Sequence, residues 1–370
     1  MSYDRARLPC LYCDEPSGSL EHALASGIGG HFKRRDLVCV PHNGMCGTWA
    51  DEPLCEQFAF AVHALEVLKG DKTRGTTWPI VADDGTRFDV LPDFRHRMRH
   101  TVDRPDGGFR ITGTEESAFR KIEKNLAKVA DFASSHEETR RYDFTTPVST
   151  SGPGQRGVLK AALHFVAAIT CDRERAREVA LQYASVLFSD AEPANVQVVP
   201  YEVGDDGRDP YRHELVAWTE DDQTLVRVKI FNVVTYLVRL PPIPADPTVY
   251  RQSTRDGSRM IGRTLVPHLV VDERVASLEG YQTEFAKRVD ALVLLAAYKS
   301  DVAALLEEVT TEPLYRMTAG EQARGKVLGE ALRERFKFRD GHVTSWMMRD
   351  VIGFAGRRIA ELSRRPAASA

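Results

Sequence analysis

The chain has 370 residues, of which 42% are hydrophobic and 28% are charged, and its formal net charge is −3. This length predicts two or three domains, because domains usually have about 100–200 residues each. The slight negative charge excludes a protein that is basic throughout. Any affinity for nucleic acid is therefore expected to come from local basic patches.

Cysteines are concentrated at the beginning of the chain, where five of the six precede residue 56. A secreted disulfide framework would spread its cysteines more evenly. The first ten residues, MSYDRARLPC, lack the apolar segment of a signal peptide. The sequence has no run of about 18 apolar residues, so no membrane span is predicted. We therefore expect a cytoplasmic protein without a membrane partner, in which cysteine pairs bind metal.

The first 60 residues predict two short strands followed by a helix. The strands are expected over 20–24 and 36–40, with Gly27, Gly29 and Gly30 permitting a sharp turn between them. Apolar residues at steps of three and four predict a helix from about Asn43 to residue 68.

The middle of the chain changes character several times. Residues 69–113 predict turns and short strands, including a basic segment at 95–100, and residues 115–134 predict a helix. A linker is expected over 145–157, because it is rich in Gly, Pro, Ser and Thr. Helices are expected over 157–171 and 174–189, and the first is apolar on most sides, which predicts that it is buried.

β-Branched and aromatic residues dominate residues 194–240 and predict an antiparallel sheet against the two preceding helices. Its strands are expected over 196–203, 213–219, 224–231 and 233–240. Prolines between 241 and 247 are expected to end the sheet, and residues 272–310 and 319–364 predict helices. The predicted fold class is α+β, with an N-terminal module over 1–70, an α+β domain over 71–250 and a helical region over 251–370.

Two ligand pairs in the cysteine-rich segment share the same spacing. Cys10 and Cys13 are separated by two residues, and so are Cys39 and His42. Two such pairs can complete the tetrahedral coordination of a structural zinc ion. Cys46 is an alternative fourth ligand, but His42 reproduces the spacing of the first pair.

Further residues in this segment resemble the HNH endonucleases, in the branch whose ββα-metal hairpin is clamped by zinc. The shared features are the two ligand pairs, an acidic residue before a histidine, a double-glycine turn, an asparagine after the second pair, and a tail with Gly, Asp and Leu at fixed spacing. In this chain they are Cys10-x2-Cys13, Glu21-His22, Gly29-Gly30, Cys39-x2-His42, Asn43 and Gly47-x3-Asp51-x2-Leu54. The resemblance covers about residues 8–58.

The resemblance implies roles for individual residues. His22 would be the general base of a DNA endonuclease, because a neutral imidazole accepts a proton near pH 7. Glu21 and Asn43 would bind a catalytic Mg²⁺ or Mn²⁺ through oxygen. The middle catalytic position falls on Asp36, where the family usually has Asn. An ionised Asp36 can accept hydrogen bonds but cannot donate them.

Basic residues next to this motif have two interpretations. Lys33, Arg34 and Arg35 would either contact phosphates or form a solvated turn. His22 would otherwise be a buried structural histidine.

The predicted function is divalent-metal-dependent cleavage of DNA, and analogy with similar modules suggests bacterial restriction or phage defence. The alternative is a non-catalytic zinc module that binds nucleic acid or protein. A third interpretation is that residues 70–370 bind a small signal that activates the nuclease. DNA is the expected partner, and the sequence leaves open whether the chain forms a homodimer.

Overall fold

The structure is a computed structural model. It describes residues 8–67, 78–81, 87–91, 94, 96–98, 101–103, 110–112, 150–202, 209–265, 273–311 and 345–363. The predicted helix over 115–134 lies outside these residues, as do Arg95, Arg99 and most of the predicted 319–364 helix.

Contacts divide the chain into two compact units. The first combines residues 1–75 with residues 148–296, and the second combines residues 76–147 with residues 297–370. These units divide the chain at different places from the predicted 1–70, 71–250 and 251–370 domains, whose independence stays a prediction. The fold is α+β with antiparallel sheets, as predicted.

A β-hairpin and a helix open the first unit. Strands β1, Ser19–His22, and β2, Lys33–Val38, pair antiparallel, and helix α1 spans Val40–Cys46. The observed β2 begins before the predicted second strand. The register between the strands shifts at Ser19/Glu21, so β2 contains an irregularity opposite the start of β1.

Glycines make the turn of this hairpin possible, as predicted. Gly29 has φ of +84°, a left-handed conformation that glycine adopts without steric cost. A Cβ atom at Gly30 would lie 1.9 Å from the carbonyl oxygen of Leu24. Neither position therefore accepts a larger residue without displacement of the backbone or its neighbours.

The predicted continuous helix to residue 68 is broken into shorter segments. A π-helical turn over Gly47–Asp51 follows α1, and α2, Glu52–Gln57, and α3, Ala59–Ala64, come after it. Phe58 leaves the helical conformation with φ −106° and ψ 13° and separates α2 from α3. Sequence periodicity located the apolar face correctly, but it could not detect these local breaks.

Helices α4, Gly154–Ile169, and α5, Arg173–Leu187, confirm the two predicted helices. Helix α4 packs against the hairpin and α2, and also against the large sheet of the first unit. Nearly all of its residues are buried as a result. Any polar residue in α4 therefore needs a partner within the protein.

The large sheet has six antiparallel strands in the order β13-β12-β9-β10-β11-β8. Four of them confirm the predicted strands: β8, Val196–Val199; β9, Arg212–Glu220; β10, Gln223–Ile230; and β11, Val234–Leu240. The predicted β9–β10 turn is also present. Asp221 and Asp222 both have positive φ, which matches the right-handed twist of the paired strands.

The expectation that prolines end this sheet is wrong. Two further strands follow, β12 over Thr248–Ser253 and β13 over Arg259–Arg263. Strand β12 pairs with β9, so the chain returns to the opposite side of the sheet after the prolines. Every residue of β13 is exposed. A strand without a buried face does not need alternating apolar residues, and the β13 sequence has no such alternation.

Helix α6, Leu278–Thr311, confirms the predicted helix over 272–310, and α7 spans Ser345–Ser363. The second unit contains strands β3, Trp78–Val81; β4, Arg87–Val90; and β5, His96–Met98, together with the pair β6, Thr101–Asp103, and β7, Arg110–Thr112. Its buried ion pair joins Lys299 and Asp350 at 2.7 Å. Among the residues that the structure describes, no helix has the length and apolarity needed to cross a membrane.

Candidate functional site

The four predicted zinc ligands lie together beside the hairpin. The ligand atoms of Cys10, Cys13, Cys39 and His42 are all within 4.8 Å of one another. The Sγ atoms of Cys13 and Cys39 are 3.7 Å apart, close to the roughly 3.8 Å edge of a tetrahedron with metal–sulfur bonds of about 2.3 Å. This cluster could bind a metal ion such as zinc.

Backbone hydrogen bonds bring the two ligand pairs together. The Cys10 amide donates to the carbonyl of Glu15 at 2.8 Å, which closes the first turn. The Leu11 amide donates to the Leu37 carbonyl at 3.0 Å and joins this turn to β2. Cys39 is the N-cap of α1, so the second pair lies where the strand ends and the helix begins.

Helix α5 holds the same region from outside the motif. The Arg177 side chain donates to the carbonyl of Cys10 at 3.0 Å and forms an ion pair with Asp14 at 2.5 Å. Arg173 donates to the carbonyls of Asp36 and Leu37 at 2.5 and 3.4 Å. The geometry of the Cys/His cluster therefore depends partly on residues well beyond position 58.

The remaining cysteines lie in different surroundings. Cys46 is buried but does not belong to the metal cluster, so the structure groups His42, not Cys46, with the three cysteines. Cys55 is partly buried, whereas Cys171 is exposed. Helix α4 ends at Ile169 and leaves Cys171 in the loop before α5.

A buried ionic cluster lies beneath β1. The Nζ atom of Lys160, in α4, is 2.6 Å from Glu21 Oε1 and 2.6 Å from Asp51 Oδ1, and it donates to the His22 carbonyl at 2.9 Å. The ammonium donates hydrogen bonds to Glu21 and to the His22 carbonyl, whereas Asp51 Oδ1 is an ion-pair partner that accepts no hydrogen bond from it. The Lys160 side chain is fully buried and that of Glu21 is 3% exposed.

The charged groups of this cluster shift one another's pKa values. Burial alone would raise the pKa of Glu21, but Lys160 and His164 outweigh it and lower this pKa to about 2. Burial raises the pKa of Asp51 to about 6 against the opposing charge of Lys160. Burial would also lower the pKa of Lys160, but the two carboxylates outweigh it and keep the ammonium protonated.

A chain of contacts connects this ionic cluster with the Cys/His cluster. His164, one turn after Lys160, has its Nδ1 atom 3.6 Å from Glu21 Oε1. Its Nε2 atom is hydrogen-bonded at 2.9 Å to the Tyr12 hydroxyl. The Tyr12 ring in turn lies 5.7 Å from the ring of His42.

The surroundings of Glu21 do not fit its predicted role as a ligand of a catalytic cation. Its carboxylate is buried and already faces the Lys160 ammonium. A divalent ion on Glu21 would lie next to that ammonium and be repelled by it. Among the described residues, the Cys/His cluster is the one group of His, Cys, Asp and Glu whose ligand atoms are close enough to hold a metal ion.

His22 occupies the end of β1 and is partly buried. Burial and the charge of Lys160 lower the pKa of His22, so its imidazole is neutral near pH 7. Its backbone carbonyl accepts a hydrogen bond from Lys160, which fixes the end of the strand. Its partner across the hairpin is Lys33, which is exposed.

Asn43 lies in α1 and contacts the first strand. Its side-chain amide donates to the Ser19 hydroxyl at 2.6 Å, and its backbone amide donates to the Cys39 carbonyl at 3.0 Å. The helix is thereby attached to β1, the strand that carries His22.

Asp36 pairs with Arg34 at the surface. The two side chains form a bidentate interaction, with distances of 2.9 and 2.6 Å, and the Asp36 side chain is 36% exposed. The hydrogen bond from Arg34 is the main cause of the lowered pKa of Asp36. The carboxylate therefore interacts mainly with an arginine of its own strand. The residue at this motif position in the family would instead brace the hairpin loop.

Replacing Asp36 with asparagine should change the free energy of unfolding by less than about 1 kcal/mol. The ion pair that it removes is exposed, and exposed pairs contribute about 0–1 kcal/mol. Urea unfolding at low and high salt measures the effect, with Arg34→Gln as the matched variant. A loss of several kcal/mol would show that the carboxylate braces the hairpin as the middle motif position was expected to do.

Lys160, His164 and Arg173 are site residues that the sequence motif did not indicate. All three lie in α4 or α5, and each contacts a residue of the N-terminal segment more than 100 positions earlier in the chain. One signal was available, because Lys160 and His164 are polar residues spaced by four in a helix predicted to be buried. Buried polar groups of this kind need partners, although the sequence does not identify those partners.

Comparison of the chain with protein-family models, curated proteins and solved structures gives no match. The site must therefore be interpreted from its own geometry.

Proposed function

We propose that residues 8–58 form an HNH-type nuclease module that hydrolyses phosphodiester bonds in DNA, with a structural zinc ion bound by the Cys/His cluster. The observation that carries this proposal is the position of His22. A neutral imidazole lies at the end of the first strand, opposite an exposed lysine, Lys33. Such a histidine is suited to accept a proton while the nearby cation attracts phosphate.

In this proposal His22 removes a proton from a water molecule that attacks the phosphorus atom. A bond forms between the water oxygen and phosphorus, and the bond from phosphorus to the leaving sugar oxygen breaks. The leaving oxygen takes a proton from solvent. Lys160 has a positioning role, because it holds the backbone carbonyl of His22 without contacting the substrate.

No step of this proposal passes through a divalent cation, because Glu21 does not fit one. The oxygen of the Asn43 side chain is a cation ligand that the sequence predicted, and it is compatible with that role while the amide nitrogen binds Ser19. The nicking assay should therefore be run with Mg²⁺, with Mn²⁺ and without added cation. An absolute requirement for either ion would indicate that the cation binds away from the paired Glu21 carboxylate.

Replacing His22 with alanine should reduce DNA cleavage by about 10²–10⁴-fold, the usual effect of removing a general base. Conversion of supercoiled plasmid to the nicked form measures the rate. Zinc content and thermal unfolding should stay close to those of the parent, because the imidazole is neither a cluster ligand nor a fully buried group. Equal cleavage by the variant and the parent would remove His22 from the mechanism.

Glu21 pairs with Lys160 and Asp36 pairs with Arg34, and these ion pairs favour a second candidate function, a zinc module that binds DNA without cutting it. Both acidic residues expected at the catalytic centre are engaged by cations of the protein itself. The same plasmid assay separates the two functions. Binding of DNA without nicking under any of the three cation conditions would favour the non-catalytic module.

A further inference from the structure

Basic side chains from two distant segments lie near His31, two residues before the cross-strand partner of His22. Lys33 faces His22 across the β1–β2 hairpin, and cross-strand partners of this kind extend from the same face of a sheet. His31 precedes Lys33 by two residues, and burial, Arg259 and Lys33 together lower its pKa. Arg259 belongs to β13, so the large sheet contributes a cation to the surface of the hairpin.

Hydrogen bonds from Gln252 explain how Arg259 reaches this position. The Gln252 side chain accepts from the His31 backbone amide at 2.9 Å and donates to the Gly29 carbonyl. Gln252 is also the register partner of Arg259 in the β12–β13 pair. The glutamine that attaches the sheet to the hairpin turn is therefore directly opposite the arginine.

The charges of Lys33 and Arg259 are not balanced by acidic neighbours within the described part of the chain. Neither side chain forms an ion pair there, whereas nearby arginines do. Arg34 pairs with Asp36, Arg251 with Glu214 and Arg263 with Asp246. Unpaired cations close to one another create a positive potential that attracts anions.

We propose that Lys33, His31 and Arg259 bind the phosphate backbone of DNA next to His22. This inference rests on the proposed function and extends it, because it assigns substrate binding to β13, far outside the motif. Lysine and arginine would supply charge, and the neutral His31 ring would supply an N–H donor. The β12–β13 hairpin thus becomes part of the DNA-binding surface.

The test measures binding of a short fluorescein-labelled DNA duplex to the full-length chain as the KCl concentration is raised. For each phosphate that the protein no longer neutralises, the slope of log K against log salt should become shallower by about 0.9. Lys33→Gln and Arg259→Gln should each show this change, and the double variant should show about twice the change. Both variants should also weaken binding at fixed salt.

Arg263→Gln is the matched control, because Arg263 lies in the same strand but pairs with Asp246. Its salt slope should equal that of the parent. Unchanged slopes in the Lys33 and Arg259 variants would overturn the inference. An equal change in the control would overturn it as well, since the effect would then reflect general surface charge, and so would failure of the parent to bind the duplex at low salt.

The outcomes separate this inference from the proposed function. Normal nicking with unchanged salt slopes would contradict the phosphate-binding cluster but leave the nuclease proposal intact. Shallower slopes without nicking under any cation condition would support the cluster and contradict the nuclease proposal. Thermal unfolding of each variant shows whether the exposed substitutions have left the fold unchanged.

Discussion

Replacing Lys160 with methionine should lower the free energy of unfolding by about 3–5 kcal/mol, the usual cost of removing one partner from a buried ion pair. The substitution leaves Glu21 and Asp51 facing each other without the ammonium that now lies 2.6 Å from each. It also removes the hydrogen bond to the His22 carbonyl. Urea unfolding followed by tryptophan fluorescence measures the loss.

Lys287→Met is the matched control, because Lys287 forms an exposed ion pair with Glu284. It should cost well under 1 kcal/mol. The double variant Lys160→Met, Glu21→Gln should recover part of the loss, because it removes an unpaired buried charge. Equal stability of the Lys160 variant and the parent would show that the buried cluster contributes nothing to folding.

The effect of Lys160→Met should also depend on pH. In the parent, Glu21 has a folded-state pKa of about 2, below its ordinary value of 4.5. Its contribution is therefore complete above pH 4.5 and is lost as the pH falls toward 2. In the variant, burial without the ammonium raises the pKa of both carboxyl groups, so they become protonated, and the variant recovers stability, while the pH is still above 4.5. The difference in stability should therefore begin to narrow above pH 4.5 and continue to narrow as the parent loses its Glu21 contribution toward pH 2.

Loss of the metal ion should have a comparably large effect on the N-terminal region. Structural zinc contributes about 10–16 kcal/mol to the folding of small zinc-binding peptides, because the site does not exist in the unfolded chain. We expect about one zinc per purified chain by elemental analysis. Cys13→Ser should lower this content and the temperature of unfolding, because it removes one of the four clustered ligands.

Cys171→Ser is the control for the zinc measurement, since Cys171 is exposed and lies outside the cluster. Cys46→Ala tests the alternative fourth ligand, and it should retain the metal. Full zinc content and unchanged stability in Cys13→Ser would exclude the four-residue assignment. Loss of zinc in Cys46→Ala alone would instead indicate Cys46 as the fourth ligand.

Local sequence signals predicted the elements whose contacts are local. The spacing of Cys10, Cys13, Cys39 and His42 predicted their grouping, because a two-residue spacing brings both ligands of a pair to one side of a turn. The helices α4 and α5 and four strands of the large sheet followed from periodicity. Strand β13 was missed because it is an exposed edge that no apolar pattern marks, and the more buried β12 was missed because the prolines before it were expected to end the sheet.

The surroundings of Glu21 could not be predicted in the same way. Its carboxylate is adjacent to His22 in the sequence, and the motif alone suggested a cation ligand. Its actual partner is Lys160, which is 139 positions away along the chain. Contacts at such separations are determined by packing of the whole unit, and one sequence gives little information about them. The position of Arg259 beside the hairpin could not be predicted for the same reason.

The distance between Glu21 and Lys160 along the chain also affects how the protein folds during synthesis. All four residues of the Cys/His cluster have been made once residue 42 has emerged from the ribosome, so binding of a metal ion could close the hairpin early. The carboxylate of Glu21 must then wait for Lys160, its partner 139 positions further along the chain. At translation rates of about 5–20 residues per second, the roughly 118 residues from position 42 to Lys160 take about 6–24 s. During that time the nascent hairpin keeps Glu21 in contact with water, and the final burial of β1 is a late event in biosynthesis.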